Sequence, residues 1–267
     1  MSMTRVATGA VLIPVLFVIV WYLPPMAFVA LAAAAAAVGQ VELSVMARAR
    51  GARPLTATGA LLGTVLIINI GRPLFPLTGG VFFWITLSVL AVLTARLFAR
   101  RPVEGALEDI SFTLLGVLYV SLLFGYQVAI HAGPPGKSWL LFLYLVIWAS
   151  DTGAYYAGTA IGKHRLYEKI SPKKSVEGLV GGTAASMVTA LLCKLWLVKG
   201  LGTLEALVLG AVLALVGTVG DLAESLLKRS AGVKDSGTLI PGHGGILDRM
   251  DSMLFAAPVL FYYLRMR

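Results

Sequence analysis

The 267-residue chain has one cysteine, three histidines and few charges: only 13% of its residues are Asp, Glu, Lys or Arg. A lone Cys193 excludes an intrachain disulfide and cannot build a thiolate cluster; it reads as an apolar filler. So little charge excludes an ordinary soluble surface. No polar stretch is long enough for a separate soluble domain, so any site must be assembled from helix ends and short loops. Acids are the scarcer sign, 13 against 22 Lys and Arg, giving a formal charge of +9. Membrane proteins carry such an excess in cytoplasmic loops. We read the basicity that way and expect no nucleic-acid partner.

What is abundant is apolar sequence: 58% of residues are hydrophobic and the mean hydropathy is +0.86. That composition implies an all-α, polytopic integral membrane protein. A bilayer core takes about 20 helical residues. The runs predict about nine transmembrane helices, near 5–23, 26–47, 57–72, 79–98, 107–131, 138–162, 178–199, 203–229 and 246–265. The third is short and Gly-rich. The first could pass for a signal peptide, but Pro24-Pro25 follows at once and more apolar runs succeed it, so it is kept as a span. Small residues from Ala32 to Ala37 let helices pack closely. With the amino terminus inside, sixteen of the 22 Lys and Arg fall on the cytoplasmic side. Arg72, Lys137, Lys194, Lys199, Arg265 and Arg267 fall outside. Two parts are expected: 1–105, about four helices serving as scaffold, dimer surface or lipid cavity, and 106–267, carrying the polar motifs.

The scarce charges crowd between Asp221 and Ser252. A charge at a membrane-helix centre costs roughly 2.5–3.5 kcal/mol on insertion scales, so such crowding points to chemistry. Asp221, Glu224, Ser225 and Lys228 share one helical face, and Asp248, Asp251 and Ser252 repeat the spacing. Gly232, Gly237, Pro241, Gly242, Gly244 and Gly245 break the helix between them. The reading is a helix, a polar loop and a returning helix, with Asp221 and Asp248 facing each other. Facing carboxylates need a cation, and hard oxygen ligands suit Mg²⁺. Asp251 is a third candidate ligand. Lys228, Arg229, Lys234, His243 and glycine amides supply the complement for phosphate oxygens. These are the parts needed for phosphoryl or nucleotidyl transfer. The competing reading is salt bridges to Lys228 or Arg249, although Lys228 lies two turns, about 10 Å, from Asp221. Asp151 reads equally as a site acid or a lysine-paired structural acid. Glu177 reads first as an acid favoured by a helix N-terminus. The cluster Arg96, Arg100, Arg101, Glu104, Glu108 and Asp109 reads first as a solvated inner loop.

The segment Glu224–Ser252 closely resembles the signature of phosphatidate cytidylyltransferases, the CDP-diacylglycerol synthases. The matching positions are Ser225, Lys228-Arg229, Lys234-Asp235, Pro241-Gly242-His243-Gly244-Gly245 and Asp248-Arg249-Met250-Asp251. Ser171-Pro172-Lys173-Lys174-Ser175-Val176-Glu177-Gly178 resembles a second element of that family, with Ser175 for Thr and Val176 for a larger residue. Ser150-Asp151-Thr152-Gly153-Ala154-Tyr155 is a third.

The resemblance implies a reaction of CTP with phosphatidic acid to give CDP-diacylglycerol and pyrophosphate, at the cytoplasmic face of a bacterial inner or cell membrane. Together with the spacing of Asp221 and Asp248 read above, it points to Asp221, Asp248, Lys228, Lys234, His243 and Arg249 as catalytic residues. Ser171, Lys173, Lys174, Ser225, Arg229, Asp235, Gly244 and Gly245 would bind substrate. Asp221, Asp248 and Asp251 would hold Mg²⁺, the number of cations staying open. Homodimerisation is compatible with this reading. The alternatives are a CTP-dependent enzyme acting on a polyprenol or ether lipid, and an ion transporter.

Overall fold

The computed structural model describes residues 3–72, 80–240, 242 and 244–267, apart from the side chains of 3–9 and 12. Helices form where the apolar runs lie, and their ends fall within three residues of the predicted edges: α1 Met3–Trp21, α2 Pro25–Ala49, α3 Thr56–Gly71, α4 Val81–Leu97, α5 Ala106–Leu115. From α5 the chain winds through a π turn, Gly116–Ser121, into α6, Leu122–Ala132. Then come α7 Gly136–Ile161, α8 Val176–Trp196, α9 Thr203–Ser230 and α10 Leu247–Met266. Among the described residues, five helical stretches are long and apolar enough to cross a membrane; Thr56–Gly71 and Val81–Leu97 are apolar but shorter. Large apolar side chains also face outward, Leu61, Leu90, Val188, Leu195 and Val219 among them. Exposure of this kind suits acyl chains and not water. The chain is a multi-pass membrane protein.

One element departs from an all-helical reading. Residues expected as a plain loop form an antiparallel hairpin, β1 Arg165–Tyr167 and β2 Ser171–Ser175. Its turn closes through Ile170 N–H donating to Tyr167 O at 3.3 Å, with the Ile170 side chain buried. The strands are short, and extended backbone is what Ser171-Pro172 imposes.

The helices gather into two compact units. The first comprises Met1–Ala132 and Ser230–Arg249. Its helices approach closely because one side lacks bulk. A Cβ on Gly39 would sit 3.0 Å from Leu247 and Val120, and one on Gly59 would sit 2.8 Å from Gln40 Oε1. Gln40 Nε2 donates to Ser121 Oγ at 2.5 Å, a buried polar bond between α2 and the π turn. Such bonds hold helices together in hydrocarbon, where burying apolar surface gains little.

Of the acid–arginine cluster, Arg100, Arg101, Glu104 and Glu108 are exposed as a solvated loop would have them, but Arg96 and Asp109 belong to this core. Asp109 and Arg96 are both buried, Arg96 Nε donating to Asp109 Oδ2 at 3.0 Å and Arg53 N–H to Oδ1 at 2.5 Å. Asp109 stands in the first turn of α5 and Arg96 in the last turn of α4, so the pair closes that corner. The two residues lie on either side of the 105/106 division drawn along the sequence. In packing, the chain passes from one unit to the other at 132/133, 229/230 and 249/250.

The second unit comprises Gly133–Arg229 and Met250–Arg267. Glycines set its helix spacing. A Cβ on Gly182 would lie 2.7 Å from Ser150 O on α7, and one on Gly210 2.9 Å from Ser186 O on α8. Gly217 faces Ile147 and Ser252, and a Cβ on Gly220 would lie 2.5 Å from Asp251 O. The last contact draws the polar end of α9 against α10.

Candidate active site

In the second unit the close approach at Gly220 brings acids together. Asp251 lies within electrostatic reach of Asp221, Glu224 and Asp151. Two lysines answer this group. Lys174 Nζ stands 2.5 Å from Asp221 Oδ2, and Lys228 pairs with Glu224 one turn before it. The other oxygen of Asp221, Oδ1, accepts from Ser225 Oγ at 3.3 Å. The shared face expected for Asp221, Ser225, Glu224 and Lys228 is therefore present. The partners differ from expectation. Lys228, read as a phosphate charge, neutralises Glu224, because both side chains point into a buried wall where an unpaired charge would be costly. Asp251 accepts from Ser252 N–H at 2.7 Å and has no ion pair among the described residues.

The hairpin delivers Lys174. Ser175 ends the second strand and caps α8, its Oγ accepting from Gly178 N–H at 3.1 Å. Glu177 accepts from Lys163 N–H at 3.1 Å and stands 2.6 Å from His164 Nδ1, which ties the end of α7 to the start of α8. Ser175 is thus the cap, and Glu177 fastens the hairpin base. Lys173 is exposed and Ser171 half-buried at the strand start. Arg229 Nε donates to Ile170 O at 3.3 Å, which fixes the hairpin turn to the end of α9.

In the first unit the loop before α10 is built around two carboxylates. Asp248 Oδ2 accepts from Ser236 N–H at 2.8 Å, Ser236 Oγ at 2.9 Å and Gly245 N–H at 2.8 Å. Glu42, from the last third of α2, accepts from Ser236 Oγ at 3.0 Å, Ile246 N–H at 2.8 Å and Leu247 N–H at 3.0 Å. Those last amides belong to the first turn of α10, whose donors have no partner within the helix. Gly244 has φ 80° and Gly245 lies where a Cβ would strike Ser236 and Glu42, so neither position admits a side chain unstrained. Lys234, Asp235 and Arg249 are exposed on this loop and helix start. Pro241 and His243 lie outside the described residues.

Asp221 belongs to the second unit and Asp248 to the first, so their apposition across a cation is a proposal. Sequence reasoning missed Glu42. The available signal was a single acid in the Ala-rich stretch Pro25–Ala49, where an intramembrane carboxylate is functional by default.

A family model described as the cytidylyltransferase family matches residues 3–267. The chain belongs to the cytidylyltransferase family. It is similar to proteins named phosphatidate cytidylyltransferase: 34% identical over 258 residues to one from Synechocystis, covering 84% of each chain. To that of Bacillus subtilis it is 37% identical over 178 residues, 66% of this chain and 65% of the relative. To that of Staphylococcus saprophyticus it is 42% identical over 152 residues, 57% of this chain and 58% of the relative. The last two matches thus span less than two thirds of those relatives. As a cytidylyltransferase-family chain, it presents its carboxylates and lysines on elements the family match includes: the hairpin, α9, the glycine loop and α10.

Proposed function

We propose that the protein transfers the cytidylyl group of CTP to phosphatidic acid, forming CDP-diacylglycerol and pyrophosphate. One observation carries this reading: Lys174, in a motif block, and Asp221, just before another and 47 positions away in the sequence, meet at 2.5 Å beside Asp251. A carboxylate pair and a lysine at one place can receive a metal-bound triphosphate.

The lipid phosphate oxygen forms a bond to the α-phosphorus of CTP, and the α–β anhydride bond breaks. The electron pair leaves with pyrophosphate. No strong base is required, because the attacking phosphate is already ionised at neutral pH. Lys174 and Lys173 on the hairpin, with Arg229, Lys234 and Arg249, bind and offset phosphate charge. His243 and the amide of Gly244 would bind the departing pyrophosphate, while Gly245 N–H stays with Asp248 and shapes the loop. Ser225 orients Asp221, and Ser171 and Asp235 border the substrate. Lys228 keeps the buried Glu224 neutralised behind this face.

Carboxylate oxygens are the chemistry Mg²⁺ takes, and it needs only one or two of them beside substrate phosphates; among the described residues no three acids are gathered closely enough to hold an ion by themselves. Asp251, which has no ion pair among the described residues and lies near Asp221, supports a cation there. Held by Asp221, Asp248 and Asp251, Mg²⁺ would neutralise the triphosphate and the leaving pyrophosphate. A second cation would share the same acids.

About nine crossings, with the amino terminus in the cytoplasm, would set all three motif blocks at the cytoplasmic ends of their helices. Soluble CTP arrives there, while the lipid enters sideways from the inner leaflet. Residues 106–267 carry the chemistry, and 1–105 form scaffold, lipid cavity or homodimer surface. The test is purified protein with CTP, phosphatidic acid and Mg²⁺. A CDP-lipid and pyrophosphate are expected. Release of CDP with a phosphorylated polyprenol, or ion flux without nucleotide turnover, overturns the reading.

A further inference from the structure

We infer that Glu42 is a positioning residue for the reaction, acting through Ser236 and the first turn of α10 to hold Asp248 and the glycine loop in working order. The inference rests on the function proposed above. Glu42 sits in the last third of α2, 7% exposed, where burial alone makes an ionised carboxylate costly. It is kept by three donors, all from the loop and helix start about 200 positions later in the sequence. Two of them are helix-start amides, so the carboxylate serves as a cap supplied from another helix. The third, Ser236 Oγ, lies within hydrogen-bond distance of both Glu42 Oε2 and Asp248 Oδ2. One hydroxyl carries one proton, so the two acids are linked through a shared donor. Asp248 in turn holds Ser236 N–H and Gly245 N–H. The loop is therefore clasped from α2 on one side and from α10 on the other.

The neighbouring glycines are fitted to the same carboxylate. A Cβ on Gly237 would lie 2.8 Å from Glu42 Oε1, and one on Gly245 would run into it. Room has been kept for an acid, not for an apolar side chain. Loss of Glu42 leaves Ile246 N–H and Leu247 N–H without their acceptor and lets Asp248 turn with the helix start. Outer partners that orient a metal-binding carboxylate typically change metal affinity or activity about 10–100-fold. Glu42 has that place relative to Asp248.

The test compares Glu42→Gln, which keeps size but loses charge, and Gly237→Ala, which keeps Glu42 and crowds it. Each is compared with the wild type in purified, folded protein. The expected result is a fall of about 10–100-fold in turnover and a rise in the Mg²⁺ concentration for half-activation. The KM for phosphatidic acid should stay within about twofold, since Glu42 is not placed against the lipid. Trypsin cleavage after Lys234, in the same loop, reads the clasp without catalysis and should be faster in both variants. Should a variant melt earlier yet keep wild-type turnover and Mg²⁺ response per folded molecule, the role is structural only and the inference falls. An inactive wild type would remove the function proposed above. In that event the trypsin comparison still decides the clasp: faster cleavage upholds it, and equal cleavage overturns it.

Discussion

Lys174, next to last in β2, places its ammonium 2.5 Å from Asp221 Oδ2 on α9. The pair is about a quarter exposed on each side, so it stands at an accessible rim. In that position the ammonium holds ground that a cation–triphosphate complex would share. It is the hairpin that carries Lys174 to Asp221.

The first prediction concerns that lysine. Lys174→Met should lower kcat/KM for CTP by about 100-fold, the scale seen when one fixed donor to developing charge is lost. Lys174→Arg should recover part of it. Initial rates against CTP concentration decide the matter. Near-normal rates in the Met variant would leave the ion pair a purely structural link between hairpin and α9.

The second concerns the acids. Asp221→Asn, Asp248→Asn and Asp251→Asn keep shape and remove the charge that Mg²⁺ requires. Each should reduce CDP-lipid formation by at least about 10–100-fold and shift the Mg²⁺ activation curve upward. Chelation of Mg²⁺ should abolish wild-type turnover, and added Mg²⁺ should restore it. Full activity in both Asp221→Asn and Asp248→Asn would remove the metal assignment.

These residues show where sequence reasoning reached and where it stopped. Apolar runs fix helix positions because hydrocarbon demands that backbone groups bond internally, so helix edges were readable to a few residues, while five of the nine expected crossings have the length and hydropathy of a span among the described residues. The face shared by Asp221 and Ser225 was readable because helical spacing is local. Partners across helices were not. Nothing in the spacing says that Lys174 meets Asp221, whereas the pair Glu224–Lys228 lies four residues apart on one helix and was open to the same local reading. Glu42 escaped notice because its partners follow about 200 residues later, and Asp109 because a charged run reads as solvated until tertiary packing buries it. The hairpin escaped because strands this short leave no periodicity.

The buried pair Lys228–Glu224 yields a third prediction. Removing one member strands the other in a wall where Glu224 is fully buried. Lys228→Met should therefore cost about 3–5 kcal/mol of stability, seen as an earlier thermal transition in detergent. The double variant Lys228→Met with Glu224→Leu should recover much of the loss, which a double-mutant cycle measures directly. Recovered stability together with recovered turnover would confine Lys228 to this neutralising task. Recovered stability without turnover would return it to the phosphate-binding set.

A fourth prediction contrasts two glycines with the same substitution. At Gly220 a Cβ would come 2.5 Å from Asp251 O, a backbone atom that cannot swing aside. At Gly200 the nearest atom is the end of the Arg267 side chain, 3.5 Å away. Gly220→Ala must therefore push α10 from α9, an overpacking cost of about 1–3 kcal/mol. The same push separates Asp251 from Asp221, so turnover should fall further than the loss of folded protein accounts for, with a raised Mg²⁺ requirement. Gly200→Ala should stay within about 0.5 kcal/mol of wild type and keep full turnover. Measuring thermal stability and rate together for both variants separates helix spacing from mere tolerance of a methyl group. Equal behaviour of the two would mean that the approach at Gly220 does not set the distance between the acids.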